Sequence, residues 1–422
     1  MQTELVSKLI FFSLFPEHES NLKVDSFTKL TSKEERKLRS LLIDQRLSPI
    51  FIDSIIKNNL LDLFSSKFLK EINGHGKILQ LYTFQTLNVL KEIADHFNES
   101  KQEYTVLKGP YLSLFCYKDL SLRPLRDLDI LIPEEDIYLA SRSLMSLGFG
   151  FKDYVSEVDL EEIIKLRGNN KSHQLPVFFR DGVSVELHIR ATKPKHFIQC
   201  PLSKDLIERS ETKEVFNTKI NFPSVEDNFI HLCEHSLLHH NLNNGSLILS
   251  DIFFLLQSKV LDGDYIISKV QKKSLDKVLR VLLNILASKT NAFSKNEILF
   301  NHFIEENDAQ IKKLIYISEE LILSSATESY ALRESKEGII QSSFLSFNYF
   351  LTIFKGLKVD RSLYIQRGVK QNKLNLILMF FYNLKIKISN NLRVISLLVF
   401  MRKTIKKKLL YKNELNFWIL ED

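Results

Sequence analysis

The apolar residues of this chain change their spacing twice, and that change limits the folds it can adopt. Over residues 1–98 they recur with the period of a helix, as in LLIDQRLSPIFIDSIIKNNLLDLF and LQLYTFQTLNVLKEIADHF. From 104 to 190, strand-like and helix-like stretches alternate, and beyond Ser224 the pattern is helical again. The sequence therefore predicts an α+β protein, a small sheet with helices that is flanked by N-terminal and C-terminal α-helical regions.

The predicted α/β unit contains several local elements. They are strands at 104–107 and 127–132, a helix opened by the KGP triplet at 108–110, a helix at 134–147 closed by Gly148, and a β-hairpin in PVFFRDGVSVELHIR. Proline suits the start of a helix, and glycine suits its end. The hairpin is the clearest element because Asp181-Gly182 is a strong two-residue turn signal between two strand-like runs.

Three other segments carry helix signals. Ser224-Val225-Glu226-Asp227 resembles a capping box and predicts a helix start. The opening MQTELVSKLIFFSLF predicts an amphipathic helix and not a signal peptide, since it lacks a basic start and a small-residue cleavage site. The NGHGK segment at 73–77 follows no strand and lacks a Ser or Thr after its lysine, so we predict a helix-ending turn there and not a phosphate loop.

The length of 422 residues exceeds one ordinary domain. We predict an N-terminal α-helical region at 1–98, an α/β domain at 99–222, an α-helical domain at 223–350 and a basic helical region at 351–422. Three cysteines make neither a disulfide framework nor a four-cysteine zinc site, which predicts a reducing compartment and hence a cytoplasmic protein. The longest apolar runs, at 374–382 and 394–401, are too short to span a membrane, so no transmembrane segment is expected.

Positive charge is concentrated at the C-terminal end. Residues 351–422 hold eleven lysines and four arginines against four acidic residues, a net charge of +11, so the first 350 residues carry −4 of the total +7. The segment MRKTIKKKLLYK predicts a basic amphipathic helix. Two interpretations stay open: contact with an anionic partner, such as RNA, an acidic protein or a membrane surface, or a solvated face of a helical bundle.

Carboxylates lie on the predicted strands, and basic residues lie close to them in the sequence. Side chains alternate across a strand, so Asp127 and Asp129 project to one face, and in VSVELHI the residues Glu186 and His188 project away from the apolar face. If the two strands are neighbours, Glu186 completes a three-carboxylate cluster suited to Mg²⁺ and to phosphoryl or nucleotidyl transfer. The cationic side chains that can serve such a site are Lys108, Arg123 and Arg126.

Four motifs follow one another along this unit: LKG at 107–109, RPLRDLDILI at 123–132, LGF at 147–149 and VELH at 185–188. Downstream, SVEDNFIHLCEHSLLHH at 224–240 precedes SDI at 250–252. In this order they resemble the uncharacterised nucleotidyltransferase family of the polymerase-β-like superfamily. The resemblance covers roughly residues 80–260.

The resemblance implies a polymerase-β-like sheet and an enzyme that transfers a nucleoside monophosphate from a nucleoside triphosphate, such as ATP, to a hydroxyl acceptor. It implies a two-metal mechanism with Mg²⁺ or Mn²⁺, in which Asp127 and Asp129 are metal ligands. Glu186 is then the third acid, which binds the catalytic metal and helps to deprotonate the acceptor. The nucleotide-binding candidates are Lys108, Gly109, Arg123 and Arg126, and the candidates for acceptor contact or support are His188, His235 and Asp251.

The chain departs from the family pattern at three places. Pro110 follows Gly109 where transferases of the superfamily have Gly-Ser or Gly-Gly, and 17 residues separate Gly109 from Asp127. Ile189 stands where the family often has Trp, and Glu186 stands where it often has Asp. We therefore expect the triphosphate to be held differently, and the third carboxylate to reach about one methylene further.

Three histidines, His231, His235 and His239, recur every four residues and lie on one face of the predicted helix. Two imidazoles at this spacing can share a zinc ion, and HLCEH matches the pattern H-x-x-E-H. Because the five-residue match is short, we favour histidines that pack and hydrogen-bond against the catalytic unit. The functional alternative to such packing is a contact with the nucleotide or the acceptor.

The predicted function is thus Mg²⁺-dependent nucleotidyl transfer to a small molecule, a glycan precursor, a protein or an RNA. Two alternatives remain open on the residues alone. One is a toxin or defence enzyme with the same chemistry that modifies tRNA or a protein, and the other is a catalytically degenerate protein that binds nucleotide as an interaction module.

Overall fold

The computed structural model describes residues 2–15, 23–151, 160–161, 163–164, 173–191, 202–239, 242, 245–272, 275–291, 293–305, 308–324, 328 and 402–420. Its helices are α1 (Gln2–Ser13), α2 (Ser32–Asp44), α3 (Ser48–Lys57), α4 (Ser66–Glu99), α5 (Gly109–Phe115), α6 (Ile137–Ser146), α7 (Leu202–Glu208), α8 (Val225–Glu234), α9 (Leu247–Ser258), α10 (Gly263–Lys272), α11 (Asp276–Ala287), α12 (Glu297–Phe303), α13 (Ala309–Ile322) and α14 (Arg402–Leu420). Its strands are β1 (Thr105–Val106), β2 (Leu128–Leu131), β3 (Gly150–Phe151), β4 (Phe178–Arg180), β5 (Val183–His188), β6 (Glu211–Val215) and β7 (Thr218–Phe222). The helix-rich α+β class is confirmed.

A mixed five-stranded sheet forms the α/β unit, in the order β1-β2-β5-β4-β3. Strands β2 and β5 run parallel, and the other neighbours run antiparallel. Because side chains alternate across a strand, one face of the central pair is apolar, and the other carries polar groups. The apolar face consists of fully buried side chains: Leu128, Ile130, Val185 and Leu187.

The predicted hairpin is confirmed. Arg180 of β4 pairs with Val183 of β5, so two residues make the turn. Asp181 has φ of 50° and Gly182 has φ of 86°, the left-handed conformation at both positions that a type I′ turn requires. This turn sets the register that places the polar side chains of β5 on one face.

The N-terminal region is helical in its described part, as predicted. Helix α2 begins with a capping box, in which Thr31 Oγ1 accepts from the Glu34 N–H and the Glu34 carboxylate accepts from the Thr31 N–H at 2.8 Å. Helix α4 is 34 residues long and buries apolar side chains along its second half. They are Leu87, Val89, Leu90, Ile93, Ala94 and Phe97.

The helix-ending turn expected at 73–77 is wrong, because Gly74 and Gly76 both lie inside α4. Glycine weakens a helix but does not end it when tertiary packing supports the segment. At Gly76 an added Cβ would lie 3.6 Å from Pro49 N, so α3 crosses α4 closely at this point. The packing of α3 against α4 has overridden the local signal.

A second β-hairpin, β6–β7, lies between residue 190 and Ser224, where the sequence analysis placed no strand. Its turn residues Phe216 and Asn217 have φ of 51° and 62°. The alternating burial of Thr218, Ile220 and Phe222 is a strand signal, but the turn lacks the glycine that marks most two-residue hairpins. The hairpin was missed for that reason.

The helices after Ser224 follow the prediction in the described residues. Ser224 caps α8, since its hydroxyl accepts from the Asp227 N–H at 3.2 Å. At the C-terminal end, Lys408 of α14 is buried and donates to Ser324 Oγ at 3.1 Å and to Glu328 Oε2 at 3.0 Å. These contacts match the helical-bundle interpretation of the basic residues for α14.

Some of the predicted features cannot be compared with the fold. The basic residues at 351–401 and the two apolar runs at 374–382 and 394–401 lie outside the described residues. Within the ranges that the structure covers, no helix combines the length and the apolar character needed to cross a bilayer.

Candidate active site

The register of β2 and β5 brings the predicted acids together. Asp129 lies directly opposite Glu186, and His188 follows two residues later on the same face of β5. Asp127 lies just before β2. The neighbouring strands that the three-carboxylate hypothesis required are therefore present.

Asp129 is the most enclosed of the acids, and each of its carboxylate oxygens has a partner. The Lys108 ammonium lies 3.0 Å from Oδ2, and His188 Nε2 donates to Oδ1 at 2.9 Å. Burial opposes its charge, but Lys108 and His188 together hold the pKa of Asp129 well below its usual range. Asp129 is consequently a charged group that is fixed in position from two sides.

His188 orients Asp129 from the end of β5. Its ring is buried, and its Nε2 also lies 3.7 Å from Glu186 Oε2. Burial lowers the pKa of His188, but the hydrogen bond to Asp129 and the nearby Glu186 carboxylate outweigh it and raise the pKa above the ordinary value. With a proton on Nε2, His188 donates to Asp129 and lies beside Glu186, so it fixes the orientation of the Asp129 carboxylate.

Lys108 reaches Asp129 from an unusual backbone conformation. It stands between β1 and α5 with φ of 56° and ψ of −111°, which non-glycine residues rarely adopt. Its Nζ donates to His235 Nε2 at 3.4 Å in addition to its contact with Asp129. The strand-to-helix turn thus aims an ammonium group at the acids.

Gly109 is required by packing at the start of α5. A Cβ there would lie 2.6 Å from Arg123 Nη1 and 2.9 Å from Leu125 Cδ2, closer than side chains tolerate. The residue predicted to contact nucleotide is buried against these two side chains. Its absence of a side chain allows Arg123 to pass beneath the helix.

The carboxyl group of Asp127 keeps its proton to a higher pH than that of Asp129. Its side chain is 31% exposed, and its nearest ion-pair partner, Arg126 Nε, is 3.9 Å away. Burial, followed by repulsion from Asp129, raises the pKa of Asp127 to about 6. Arg126 is itself 76% exposed, so it partners Asp127 only loosely.

Arg123 and Asp251, two of the predicted residues, pair with each other. Arg123 donates through Nε to Asp251 Oδ1 at 3.1 Å and through Nη2 to Oδ2 at 2.9 Å, and Tyr117 OH donates to Oδ1 at 2.8 Å. Although burial opposes the charge of the guanidinium, Asp251 raises the pKa of Arg123. This bidentate pair links the segment before β2 to α9, so the guanidinium of Arg123 is engaged by protein groups.

The histidine row lies beside the acids. His231 is buried in α8, and its ring centroid is 5.9 Å from that of His235. His235 is the first residue of a π-helical turn, His235–His239. His235 contacts Lys108 through Nε2 at 3.4 Å. Among the described side chains, these histidines form no group with metal-ligand geometry, and the side chain of His239 is outside them.

Tyr82 was missed by the sequence analysis. From α4 its hydroxyl lies 3.2 Å from the carbonyl oxygen of Arg126 and donates to that of Gly182 at 3.0 Å, so it holds the approach to β2 and the β4–β5 turn together. Nothing in a helical apolar pattern distinguishes such a tyrosine from a core residue.

Asp129, Glu186 and His188 form the one group of metal-ligand type in the described residues, and their ligand atoms lie within 4.8 Å of one another. Carboxylate oxygens suit hard cations such as Mg²⁺ and Mn²⁺, and Asp127 adds a further carboxylate beside the group. The donor set therefore fits a divalent cation. It does not resemble a four-ligand structural zinc site.

The comparison with protein families agrees with this geometry. The model of the family described as uncharacterised nucleotidyltransferase matches residues 31–289, which is more than half of the chain and includes every residue of the site. A search among curated proteins found no match. With its acids on adjacent strands and the family model spanning both, the chain belongs to the uncharacterised nucleotidyltransferase family and is a transferase of nucleotidyl groups.

Proposed function

We propose that the protein transfers a nucleoside monophosphate from a nucleoside triphosphate, such as ATP, to a hydroxyl acceptor with the help of Mg²⁺ or Mn²⁺. The observation that carries this proposal is the register of Asp129 opposite Glu186, with Asp127 just before the same strand. Two carboxylates on adjacent parallel strands and a third beside them form a site for divalent cations next to cationic side chains.

The proposed metal ligands are Asp127, Asp129 and Glu186. Bound cations would offset the charge of the triphosphate and of the pyrophosphate leaving group. His188 would keep Asp129 turned towards the site by donating through Nε2. Without a cation, the charged form of Asp127 is disfavoured and its pKa is about 6. A bound cation would favour the charged form.

Glu186 is the proposed acceptor of the proton from the hydroxyl nucleophile. Its side chain is 21% exposed, the intermediate burial of a group that can meet a substrate and still be held by protein. Lys108 and Arg126 are the proposed phosphate contacts, because each ends in a cation beside one of the aspartates. For Arg123 we propose a positioning role through Asp251 instead of the phosphate contact expected from sequence.

We propose a cytoplasmic location on the chemistry of the cysteines. Cys116 and Cys233 are free and buried thiols, and burial raises the pKa of each, to about 11 for Cys116. Thiols kept in this form suit a reducing compartment. Fractionation of cells that express the protein at its natural level tests the location.

The test of the activity is incubation with each α-labelled nucleoside triphosphate, Mg²⁺ or Mn²⁺ and cell extract. We expect label to be transferred by the wild type and to fall to background with Asp129→Ala and Glu186→Ala. Glu135→Ala is the matched control, since Glu135 is an exposed acid outside the site. Equal labelling by wild type and Asp129→Ala would contradict the proposal.

The labelled product decides between the remaining candidates for the acceptor. Labelled tRNA or protein, with growth arrest that depends on Asp127, would identify a toxin or defence enzyme. A labelled small molecule or glycan precursor would identify a biosynthetic enzyme. Metal-dependent nucleotide binding without any labelled product would identify a degenerate binding protein.

A further inference from the structure

Helix α2 ends in a turn that normally favours glycine. The Arg46 N–H donates to the Ile43 carbonyl at 3.2 Å, and the Leu47 N–H donates to the Leu42 carbonyl at 2.8 Å. This pair of bonds is the Schellman arrangement, and it requires a left-handed residue just past the helix. Arg46 occupies that position with φ of 58°.

The same turn recurs at other helix ends of this protein, where it shows that the turn itself needs no arginine. Helix α6 uses Gly148 with φ of 84°, and its Gly148 and Phe149 N–H groups donate to Met145 and Leu144. Helix α4 ends in the same way, with Lys101 at φ of 54°. A side chain at this position strains the backbone. The presence of arginine at position 46 therefore needs a reason in the surroundings of its side chain.

The α2–α3 turn lies on the site side of α4. Two residues after Arg46, the Ser48 hydroxyl is hydrogen-bonded to His75 Nδ1 at 2.8 Å. Two helical turns further along the same face of α4, Tyr82 is hydrogen-bonded to the carbonyls of Arg126 and Gly182. Helix α4 thereby connects the Arg46 turn to the start of β2, where Asp127 lies.

The charges around Arg46 agree with this position. Its guanidinium is half-buried, and in the described part of the chain it makes no ion pair or hydrogen bond. Burial and the charge of Arg126 lower the pKa of Arg46, whereas the charge of Asp127 raises it. Arg126 lies beside Asp127 and Lys108 lies beside Asp129, and Arg46 faces the charges of Arg126 and Asp127 from the α2–α3 turn.

A half-buried guanidinium without a protein partner has lost part of its hydration and kept five hydrogen-bond donors. The planar fork of an arginine fits the oxygens of a phosphate in a bidentate manner. We propose that Arg46 binds the polyphosphate of the nucleoside triphosphate at the Asp127 end of the active site. This inference rests on the proposed nucleotidyl transfer, and it makes the N-terminal helices part of the substrate site.

Substitution by glycine separates this role from folding. Arg46→Gly relieves the strained turn, so we expect a melting temperature equal to or higher than that of the wild type. Lys101→Gly is the matched control, because it removes an exposed cation from the same kind of turn at the end of α4. It should change the melting temperature in the same direction and leave nucleotide binding unchanged.

Binding is measured by titration calorimetry with Mg²⁺ and the β,γ-imido analogues of the four common nucleoside triphosphates. For the analogue that the wild type binds best, we expect Arg46→Gly to weaken binding about ten- to a hundredfold, the effect of a lost charge-assisted contact. Arg46→Lys should give an intermediate loss. The matching nucleoside monophosphate should be bound equally by the wild type and Arg46→Gly.

The outcomes distinguish this inference from the proposed function. If the wild type binds an analogue and Arg46→Gly binds it as tightly, or if Arg46→Gly weakens the monophosphate to the same extent as the triphosphate analogue, the inference on Arg46 is wrong. If the wild type binds none of the four analogues, the proposed function itself fails, and the inference fails with it.

Discussion

Asp127 and Asp129 are two residues apart and lie in opposite electrostatic surroundings. Asp129 is held charged by Lys108 and His188, while burial and the charge of Asp129 raise the pKa of Asp127 to about 6. Two neighbouring carboxyl groups with well-separated pKa values are typical of functional sites, where charged groups are fixed in position before a ligand binds. In this protein the two aspartates lie beside Glu186, where the proposed cation would bind.

The first prediction at the scale of single residues concerns Asp127→Asn in metal-free buffer with a chelator. The folded protein holds a proton on Asp127 up to pH about 6, whereas the unfolded chain releases it near 3.8, so stability falls as pH rises through this window. Asp127→Asn removes this loss of stability at higher pH, because asparagine does not ionise. Because 31% of the side chain remains exposed, we expect only about 1–2 kcal/mol of added unfolding free energy at pH 8.

Denaturant unfolding across pH 4–8 measures this effect. The gain of Asp127→Asn should shrink as the pH falls from 8 to 4, since Asp127 is then protonated in the folded wild type and increasingly protonated in its unfolded chain. Asp62→Asn, at an exposed acid remote from the sheet, should change stability little at any pH. A gain that stays constant with pH would show that charge on Asp127 is not its cause.

The second residue prediction concerns the Arg123–Asp251 pair. Asp251→Ala leaves a guanidinium that is only 14% exposed without its bidentate partner, and we expect a loss of about 3–5 kcal/mol in unfolding free energy. Tyr117→Phe removes one hydrogen bond to the same carboxylate and should cost about 1 kcal/mol. Thermal unfolding in metal-free buffer gives both values. Wild-type stability of Asp251→Ala would contradict the positioning role of Arg123.

At the scale of elements, local signals succeeded where short-range chemistry decides and failed where packing decides. The Asp181-Gly182 turn, the Ser224 cap and the Gly148 helix end are each determined by a few adjacent residues, and each was predictable. The β6–β7 turn was not predictable, because its left-handed geometry is usual for a hairpin but Phe216 is an unusual residue in it.

The site was predictable in part for a similar reason. Alternation along two strands predicts that Asp129 and Glu186 project to polar faces, and the resemblance to a family supplies their roles. The contacts of Arg123 with Asp251 join residues 128 positions apart, and no periodicity indicates such a pair. The same holds for Tyr82, whose partners lie on a loop and a hairpin that are distant in the sequence.

The third prediction tests the corrected element at 73–77. Gly74 has nothing within 4 Å of an added Cβ, and at Gly76 the nearest atom is at an ordinary contact distance of 3.6 Å. In the interior of α4, alanine should therefore stabilise the protein by about 0.5–1 kcal/mol at each position. Gly148→Ala, at a φ of 84°, should destabilise it. Destabilisation by Gly74→Ala would favour the helix-ending turn after all.

At the scale of the whole molecule, the sheet is completed by elements before and after it in the chain. Helix α4 supplies Leu87, Ile93 and Phe97 to the core, and α9 supplies Asp251 to the Arg123 guanidinium. The α/β segment at 99–222 carries the acids but neither of these partners. Its predicted boundaries follow the change of pattern in the sequence, and the contact of Arg123 with Asp251 crosses one of them.

The fourth prediction follows from this arrangement. A fragment of residues 99–222 should lack a cooperative thermal transition, because it exposes the apolar surface that α4 covers and leaves Arg123 without Asp251. A fragment of residues 1–324 keeps α1–α13 and should unfold cooperatively, with a lower melting temperature than the full chain since it lacks Glu328 and α14. Circular dichroism during heating compares the two fragments. A sharp transition for 99–222 alone would mean that the sheet needs neither neighbour, and the helices around it would then be attachments and not parts of one folding unit.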